Sequence, residues 1–160
     1  MKILVVYDSH FNNTKIIAEK IAEALAESGD VSIQRTGDMK PEQLKGFDIL
    51  VAGSPTQKAR PTQDIKTFLN NIPRGGLKGV KAAAFDTRIS IDNTNSAALR
   101  WFVKIFGYAA ETIAGKLKRK GCEMILPPEG FIVEGTKGPL KQGEVERAAE
   151  WAETIISAVS

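Results

Sequence analysis

Lys2-Ile3-Leu4-Val5-Val6-Tyr7-Asp8-Ser9-His10-Phe11-Asn12-Asn13-Thr14 is the stretch from which the rest of the chain is read. Ile3, Leu4, Val5 and Val6 form a short apolar run, rich in β-branched residues and without a polar break. That is the pattern of a strand buried on both faces. Small hydroxyl and amide residues follow at once, and helical periodicity begins at residue 13. A strand, a polar loop and a helix together aim unpaired backbone N–H groups at one spot, where the helix dipole adds partial positive charge. Such a spot suits a phosphate. Ser9, Asn12, Asn13 and Thr14 can add side-chain donors to it. Asn13 or Thr14 could equally serve as an ordinary helix cap, so the loop alone leaves capping and ligand binding open. Neither G-x-G-x-x-G nor G-x-x-x-x-G-K-[ST] occurs in the chain.

Outward from this loop, strands and helices alternate. Residues 13–28 read as a helix with Ile17, Ala18, Ile21, Ala22 and Leu25 on one face. Val31-Ser32-Ile33-Gln34-Arg35 alternates apolar and polar like an edge strand, and residues 41–46 suggest a short helical turn. Asp48-Ile49-Leu50-Val51-Ala52 is the third strand, entering a loop at Gly53-Ser54-Pro55-Thr56. Residues 62–71 form a helix with Ile65, Phe68 and Leu69 inward, and Val80-Lys81-Ala82-Ala83-Ala84-Phe85 is the fourth strand. Residues 97–120 read as one long helix with a bend at Gly107. Cys122-Glu123-Met124-Ile125-Leu126 and Gly130-Phe131-Ile132-Val133 share the fifth strand position around Pro127-Pro128. Residues 144–158 close the chain as a helix with Val145, Ala148, Ala149, Ala152, Ile155, Ile156 and Val159 inward. The pattern predicts an α/β three-layer sandwich, a five-stranded parallel sheet covered by helices on both faces. With no linker or low-complexity tract, residues 1–160 are expected to form one domain. Ligands of such sheets gather beyond the carboxyl ends of the strands, where strand order reverses. The loops after strands one, three and four are therefore the candidate site.

Composition narrows the function classes. The chain has 160 residues, 42% of them hydrophobic and 26% charged, which is ordinary for a soluble globular protein. No apolar run reaches the length of a membrane span, and the first strand lacks the cleavage site of a signal peptide; a cytoplasmic protein is expected. Cys122 and His10 are the only residues of their types, which excludes an internal disulfide and a Cys/His metal cluster. Cys122 reads as a small core residue. The net charge is +3, with Lys116-Leu117-Lys118-Arg119-Lys120 ahead of Gly121. That run is expected at a helix C-terminus, and no nucleic-acid partner is expected, because no basic stripe with base-reading groups accompanies it. The first loop lacks the cysteine of a tyrosine phosphatase. It also lacks the acidic pair of a receiver domain, since Asp8 stands alone.

Tyr7-Asp8-Ser9-His10-Phe11-Asn12-Asn13-Thr14-Lys15-Ile16-Ile17-Ala18 resembles the phosphate loop of the flavodoxin family, usually a hydroxyl residue, spacers, Gly-Asn-Thr and a helix. Val51-Ala52-Gly53-Ser54-Pro55-Thr56 is similar to that family's second loop, and Ala84-Phe85-Asp86-Thr87-Arg88 stands where its third loop falls. The order and spacing of elements resemble the short-chain type across nearly the whole chain. The resemblance implies strand order 2-1-3-4-5 and FMN as cofactor. Ser9, His10, Asn12, Asn13 and Thr14, with Phe11 in the same loop, would surround the FMN phosphate. Ser54, Pro55, Thr56, Gln57, Lys58, Ala59 and Arg60 would lie along the isoalloxazine. Asp86, Thr87 and Arg88 would approach its pyrimidine end or the ribityl chain.

The implied function is an electron carrier between redox protein partners, a reductase and an acceptor. The alternatives are an FMN-dependent NAD(P)H/quinone reductase, or a flavin-free interaction module. Two departures from the family pattern stand out. Asn12 occupies a common glycine position, which Asn tolerates through its access to left-handed backbone. The second and third loops hold no aromatic ring to stack on a flavin; Phe11 is the nearest, while Trp101, Phe102, Phe106 and Tyr108 read as core or rim. Lys58, Arg60 and Arg88 place three cations on two loops of one crevice, and the basic balance is unlike the acidic flavodoxins.

Overall fold

The computed structural model describes residues 1–90 and 96–160, without the side chains of Phe102, Ile105 and Phe106. The expected layers are present. The sheet contains β1 (Lys2–Tyr7), β2 (Asp30–Arg35), β3 (Ile49–Pro55), β4 (Lys81–Ile89), β5 (Glu123–Met124) and β6 (Glu129–Val133), all pairing in parallel. Its order is β2-β1-β3-β4-β5, with β6 also paired to β4. β5 lies beside Lys81 and Ala82 and β6 beside the stretch from Phe85 to Ile89. The fifth position is thus shared, interrupted at Pro127-Pro128, where two residues have no N–H to give the ladder.

Each face of the sheet buries its own core. On one side lie α1 (Asn13–Leu25) and α5 (Glu144–Val159), over Ile3, Val5, Val51 and Phe85. Phe85, Phe131 and Trp151 meet edge to face with ring centroids 6.1 Å apart, the favoured geometry for aromatic quadrupoles. Gly53 makes this possible, because a β-carbon there would fall within the Phe85 ring. On the other side α2 (Gln63–Asn71) and α4 (Ala109–Arg119) cover Leu4, Val6, Leu50, Ala82 and Ala84. Cys122 is buried in this second core, and burial pushes its thiol up to about 11. No helix among the described residues is long and apolar enough to cross a membrane.

Four details differ from the sequence reading. β3 continues through Pro55 and β4 through Ile89, so Ser54, Asp86, Thr87 and Arg88 are strand residues rather than loop residues. Pairing with β6 holds the β4 extension in place. The helix expected over 97–120 is two helices, α3 (Ala97–Phe106) and α4, because Gly107 takes φ +73°. Tyr108 then restarts the chain, its N–H donating to Glu111 Oε2 at 2.7 Å. The first helix ends at Leu25, three residues short of the expected end. In α5 the inward stripe includes Trp151, whereas Val145, Ala149, Ile156 and Val159 are only half-buried. Phe102 and Phe106 lie outside the described side chains.

The start of α5 is tied to β6 by charge. Buried Glu144 accepts the Ile132 N–H at 2.6 Å and Arg147 Nη2 at 2.8 Å, and Arg147 also pairs with Glu129 at 3.1 Å. Burial alone would raise the Glu144 pKa. The Arg147 and Ile132 hydrogen bonds and the nearby cations outweigh it, so the carboxyl sits below its usual 4.5. A carboxyl lowered in the folded state stabilises at neutral pH, and that contribution is lost as pH falls through the folded value. Glu144→Gln should therefore cost about 1.5–3 kcal/mol at neutral pH, the scale of a hydrogen bond to a charged group. The gap to wild type in urea melts should close on acidification below the usual carboxyl range.

Candidate functional site

A cavity of about 1160 Å³ opens beyond the carboxyl ends of β1, β3 and β4. Its floor is the loop before α1. The backbone N–H groups of His10, Phe11, Asn12, Asn13 and Thr14 donate to no atom of the described residues. Asn12 sits at φ 67°, as its residue type allows, and precedes the first helical residue without a side-chain cap bond. Neither Asn13 nor Thr14 caps the helix. Thr14 Oγ1 instead meets Thr87 Oγ1 at 2.7 Å, tying the helix start to β4.

The loop is braced from behind. Asp8 is fully buried; its Oδ1 accepts the Ser9 N–H at 2.8 Å and Arg35 Nε and Nη2 at 3.2 Å. Arg35 Nη2 also donates to the Ser9 carbonyl at 2.6 Å. Oδ2 of Asp8 has no hydrogen-bond partner among the described residues and faces His10 Nε2 at 3.6 Å. The other ring nitrogen of His10 lies 2.8 Å from Gln57 Nε2. An amide nitrogen donates, so Nδ1 accepts and the ring proton sits on Nε2, toward the carboxylate. His10 thereby joins the first loop to the second.

The second wall comprises Pro55, Thr56, Gln57, Lys58, Ala59 and Arg60. Gln57 and Arg60 exchange backbone hydrogen bonds at 2.7 and 3.0 Å across a tight turn. Lys58 and Ala59 occupy φ 48° and 64° there, a conformation unfavourable for residues with a β-carbon. Thr56 Oγ1 accepts the Ala109 N–H at 3.1 Å, fastening this turn to α4.

Thr87 and Arg88 make the third wall. Arg88 forks onto Asp86, with Nε to Oδ1 at 2.6 Å and Nη2 to Oδ2 at 2.8 Å. Asp86 Oδ2 also accepts the Ala110 N–H at 2.9 Å. Above, the Arg88 guanidinium carbon lies 3.6 Å from the Tyr108 ring centroid, a cation–π contact. Below, Gly130 leaves it room, since a β-carbon there would collide with the guanidinium. Burial raises the Asp86 pKa; the Arg88 bonds and charge and the Ala110 N–H oppose that rise without cancelling it.

The cavity collects Ser9, His10, Phe11, Asn13, Thr14, Pro55, Thr56, Gln57, Lys58, Ala59, Arg60, Thr87 and Arg88 of the residues expected at the site. Asn12, Ser54 and Asp86 are not on its lining. Ser54 Oγ turns away to accept the Thr62 N–H at 3.0 Å, and Asp86 is sealed beneath Arg88. Lys58, Arg60 and Arg88 all stand on the lining; the charge of Arg88 is matched by Asp86, while Lys58 and Arg60 enter no ion pair among the described residues. Tyr108, read from sequence as core or rim, is on the lining, and sequence reasoning missed the apolar wall that Ala98, Leu99 and Val103 of α3 supply. The break at Gly107, with Glu111 three residues after Tyr108, was the available signal.

A parallel α/β sheet of order β2-β1-β3-β4-β5 with a cavity beyond the carboxyl ends of its strands is a doubly wound fold with its crevice at the switch point. Within that class the chain belongs to the flavodoxin-domain family, whose model matches residues 4–95, more than half of the 160. A flavodoxin from Aquifex aeolicus is 31% identical over 91 residues, covering 54% of this chain and 49% of that one. An NAD(P)H dehydrogenase (quinone) from Caulobacter vibrioides is 28% identical over 109 residues, covering 52% and 55%. The chain thus spans about half the length of each of these relatives. Among solved structures, oxidised Flavodoxin 1 from Bacillus cereus matches with a TM-score of 0.79 at 19% identity, over 100% of both chains.

Proposed function

We propose that this protein binds FMN in the cavity and carries electrons between redox protein partners in the cytoplasm. The observation that carries this reading is the run of five undonated amides, His10 to Thr14, at the start of α1, in a loop whose His10, Phe11, Asn13 and Thr14 line the cavity. A phosphate dianion accepts such bonds with charge assistance, and the helix dipole favours it there. The residues present fit the group. Ser9 and Thr14 hydroxyls lie at the cradle, and the one buried carboxylate near it, Asp8, is already paired with Arg35. The ring system would lie between the turn holding Lys58 and the wall made by Arg88 and Tyr108.

Bound FMN supplies reversible electron transfer, while the protein sets its orientation and surroundings. Here Arg35 and Asp8 hold the loop from behind, the Thr14–Thr87 bond fixes the helix start, and His10 with Gln57 links the first two walls. Family membership supports the same reading.

A second reading, an FMN-dependent NAD(P)H/quinone reductase, is favoured by the cavity itself. Its volume of about 1160 Å³ exceeds the roughly 300–1,000 Å³ of pockets for one drug-sized ligand, and the α3 wall is apolar. The two readings separate on anaerobic stopped-flow mixing of the FMN-loaded protein with NADH or NADPH. A carrier is reduced slowly by either nucleotide alone. Fast, saturable bleaching with turnover on quinones would replace the carrier reading with the reductase one.

A further inference from the structure

The two helical layers carry their charges differently. On α1 and α5 cations are matched: Lys15 with Glu19 at 3.8 Å, Lys20 with Glu23 at 3.1 Å, and Arg147 with Glu129 and Glu144. On α2 and α4, Lys66, Lys116, Arg119 and Lys120 enter no ion pair among the described residues, and neither do Arg74 and Lys78 in the turn after α2. The carboxylates of these helices, Asp64 and Glu111, stand in the first turns and enter no ion pair among the described residues. Lys116 is held below its usual pKa by burial and then by the charges of Arg119, Lys120 and Lys66. These cations are close enough to repel one another.

A favourable helix C-terminus accounts for Lys116, Lys118, Arg119 and Lys120. It does not account for Lys66, in the middle of α2, or for Arg74 and Lys78. Nor are the ammonium groups left to spread apart. Lys116 Nζ donates to Asn70 Oδ1 at 2.8 Å and Lys120 Nζ to the Asn70 carbonyl at 3.3 Å, which fixes them between the helices. The strip begins at Lys66 on the cavity lining, which also carries Lys58 and Arg60. From there it runs down the α2–α4 face.

We infer that this face and the adjoining cavity mouth form the docking surface for an acidic redox protein that exchanges electrons with the group held in the cavity. The inference rests on the carrier reading. Helix α2 has 9 residues, about 14 Å at 1.5 Å per residue, so the strip fits within a standard footprint of about 800 Å² per partner. Opposite charge on the partner raises the encounter rate and selects its orientation. Among the described residues the large exposed apolar ones, Met1, Phe11, Ile16, Ile33 and Trp101, lie off α2 and α4. The strip therefore lacks both the aromatic platforms of a single-strand reader and the apolar anchors of a membrane-surface helix.

The test uses the FMN-loaded protein and a reduced, strongly acidic [2Fe–2S] ferredoxin as probe. One electron leaves the iron–sulfur cluster and is accepted by the oxidised flavin, with no bond formed between the proteins. The rate should fall about tenfold between about 0.01 and 1 M salt, as the Debye length shrinks from about 30 to 3 Å. An Arg74→Gln, Lys78→Gln, Arg119→Gln variant should be about tenfold slower at low salt, equal to wild type at high salt, and unchanged in FMN affinity. Equal rates at low salt would overturn the inference. So would tighter binding of a basic cytochrome c, of duplex DNA or of phosphatidylserine vesicles than of the ferredoxin. If FMN does not bind, the carrier reading fails by itself. The surface is then read on the flavin-free chain by amide shift mapping with oxidised ferredoxin: shifts centred on α2–α4 uphold it, and shifts elsewhere or none overturn it.

Discussion

Arg88→Met should destabilise the protein by about 3–5 kcal/mol, the cost of breaking a buried ion pair and leaving one charge unmatched. Asp86 is fully buried, and both its oxygens are engaged, one by Arg88 Nε and the other by Arg88 Nη2 and the Ala110 N–H. Methionine keeps much of the side-chain volume beneath Tyr108 but supplies neither donors nor charge. The loss should shrink on acidification, as at Glu144, although the carboxyl is shifted the other way. A carboxyl raised in the folded state keeps its proton over a range in which the unfolded chain has released it, so its contribution falls as pH rises above the usual 3.8. Without Arg88 the rise is larger. The variant should therefore recover stability on mild acidification, where Asp86 is protonated and its burial costs less. Urea melts across pH check this, and the Asp86→Asn, Arg88→Met double variant should regain part of the loss at neutral pH. A pH-independent deficit would mean that lost packing against Tyr108, rather than the stranded carboxylate, dominates.

Thr14→Val is expected to act twice. Stability falls by about 1–3 kcal/mol, because the buried Thr87 hydroxyl loses its partner at 2.7 Å. FMN affinity falls about 10- to 100-fold, since a hydrogen bond to a charged group is worth about 1.5–3 kcal/mol and each 1.4 kcal/mol is tenfold. Thr87→Val breaks the same hydroxyl pair from the other side, yet leaves the Thr14 hydroxyl at the cradle. It should reproduce the stability loss with a smaller effect on affinity. Chemical denaturation of the flavin-free protein and fluorescence titration of both variants separate the two effects. Equal affinities in both variants would reduce Thr14 to a structural tie.

Residues 2–14 were legible because each part obeys a local rule: an unbroken apolar run, a polar loop, and then helical spacing. Asn12 even takes the left-handed backbone that its residue type suggested. β4 was read too short because Asp86, Thr87 and Arg88 look like loop residues. Their polar groups are satisfied by partners distant in sequence or by one another: Thr14 for Thr87, and Arg88 with the Ala110 N–H for Asp86. Arg88 lines the crevice as expected, but its fork onto the buried Asp86 could not be recognised from the sequence. Periodicity runs through Gly107, where apolar spacing continues although the backbone turns, so the bend expected there is a full break. Asp8 and Arg35 were invisible as a pair for another reason: parallel pairing of β1 with β2 brings Tyr7 beside Arg35 across nearly thirty residues of sequence.

Calorimetric titration of the flavin-free protein with FMN and with riboflavin tests the central claim most directly. The amides of residues 10–14 contact only the phosphate in this account, so FMN should bind at about one equivalent and at least about 100-fold more tightly than riboflavin, two or more charge-assisted bonds' worth. Equal affinity for the two ligands, or heat from neither, would contradict it.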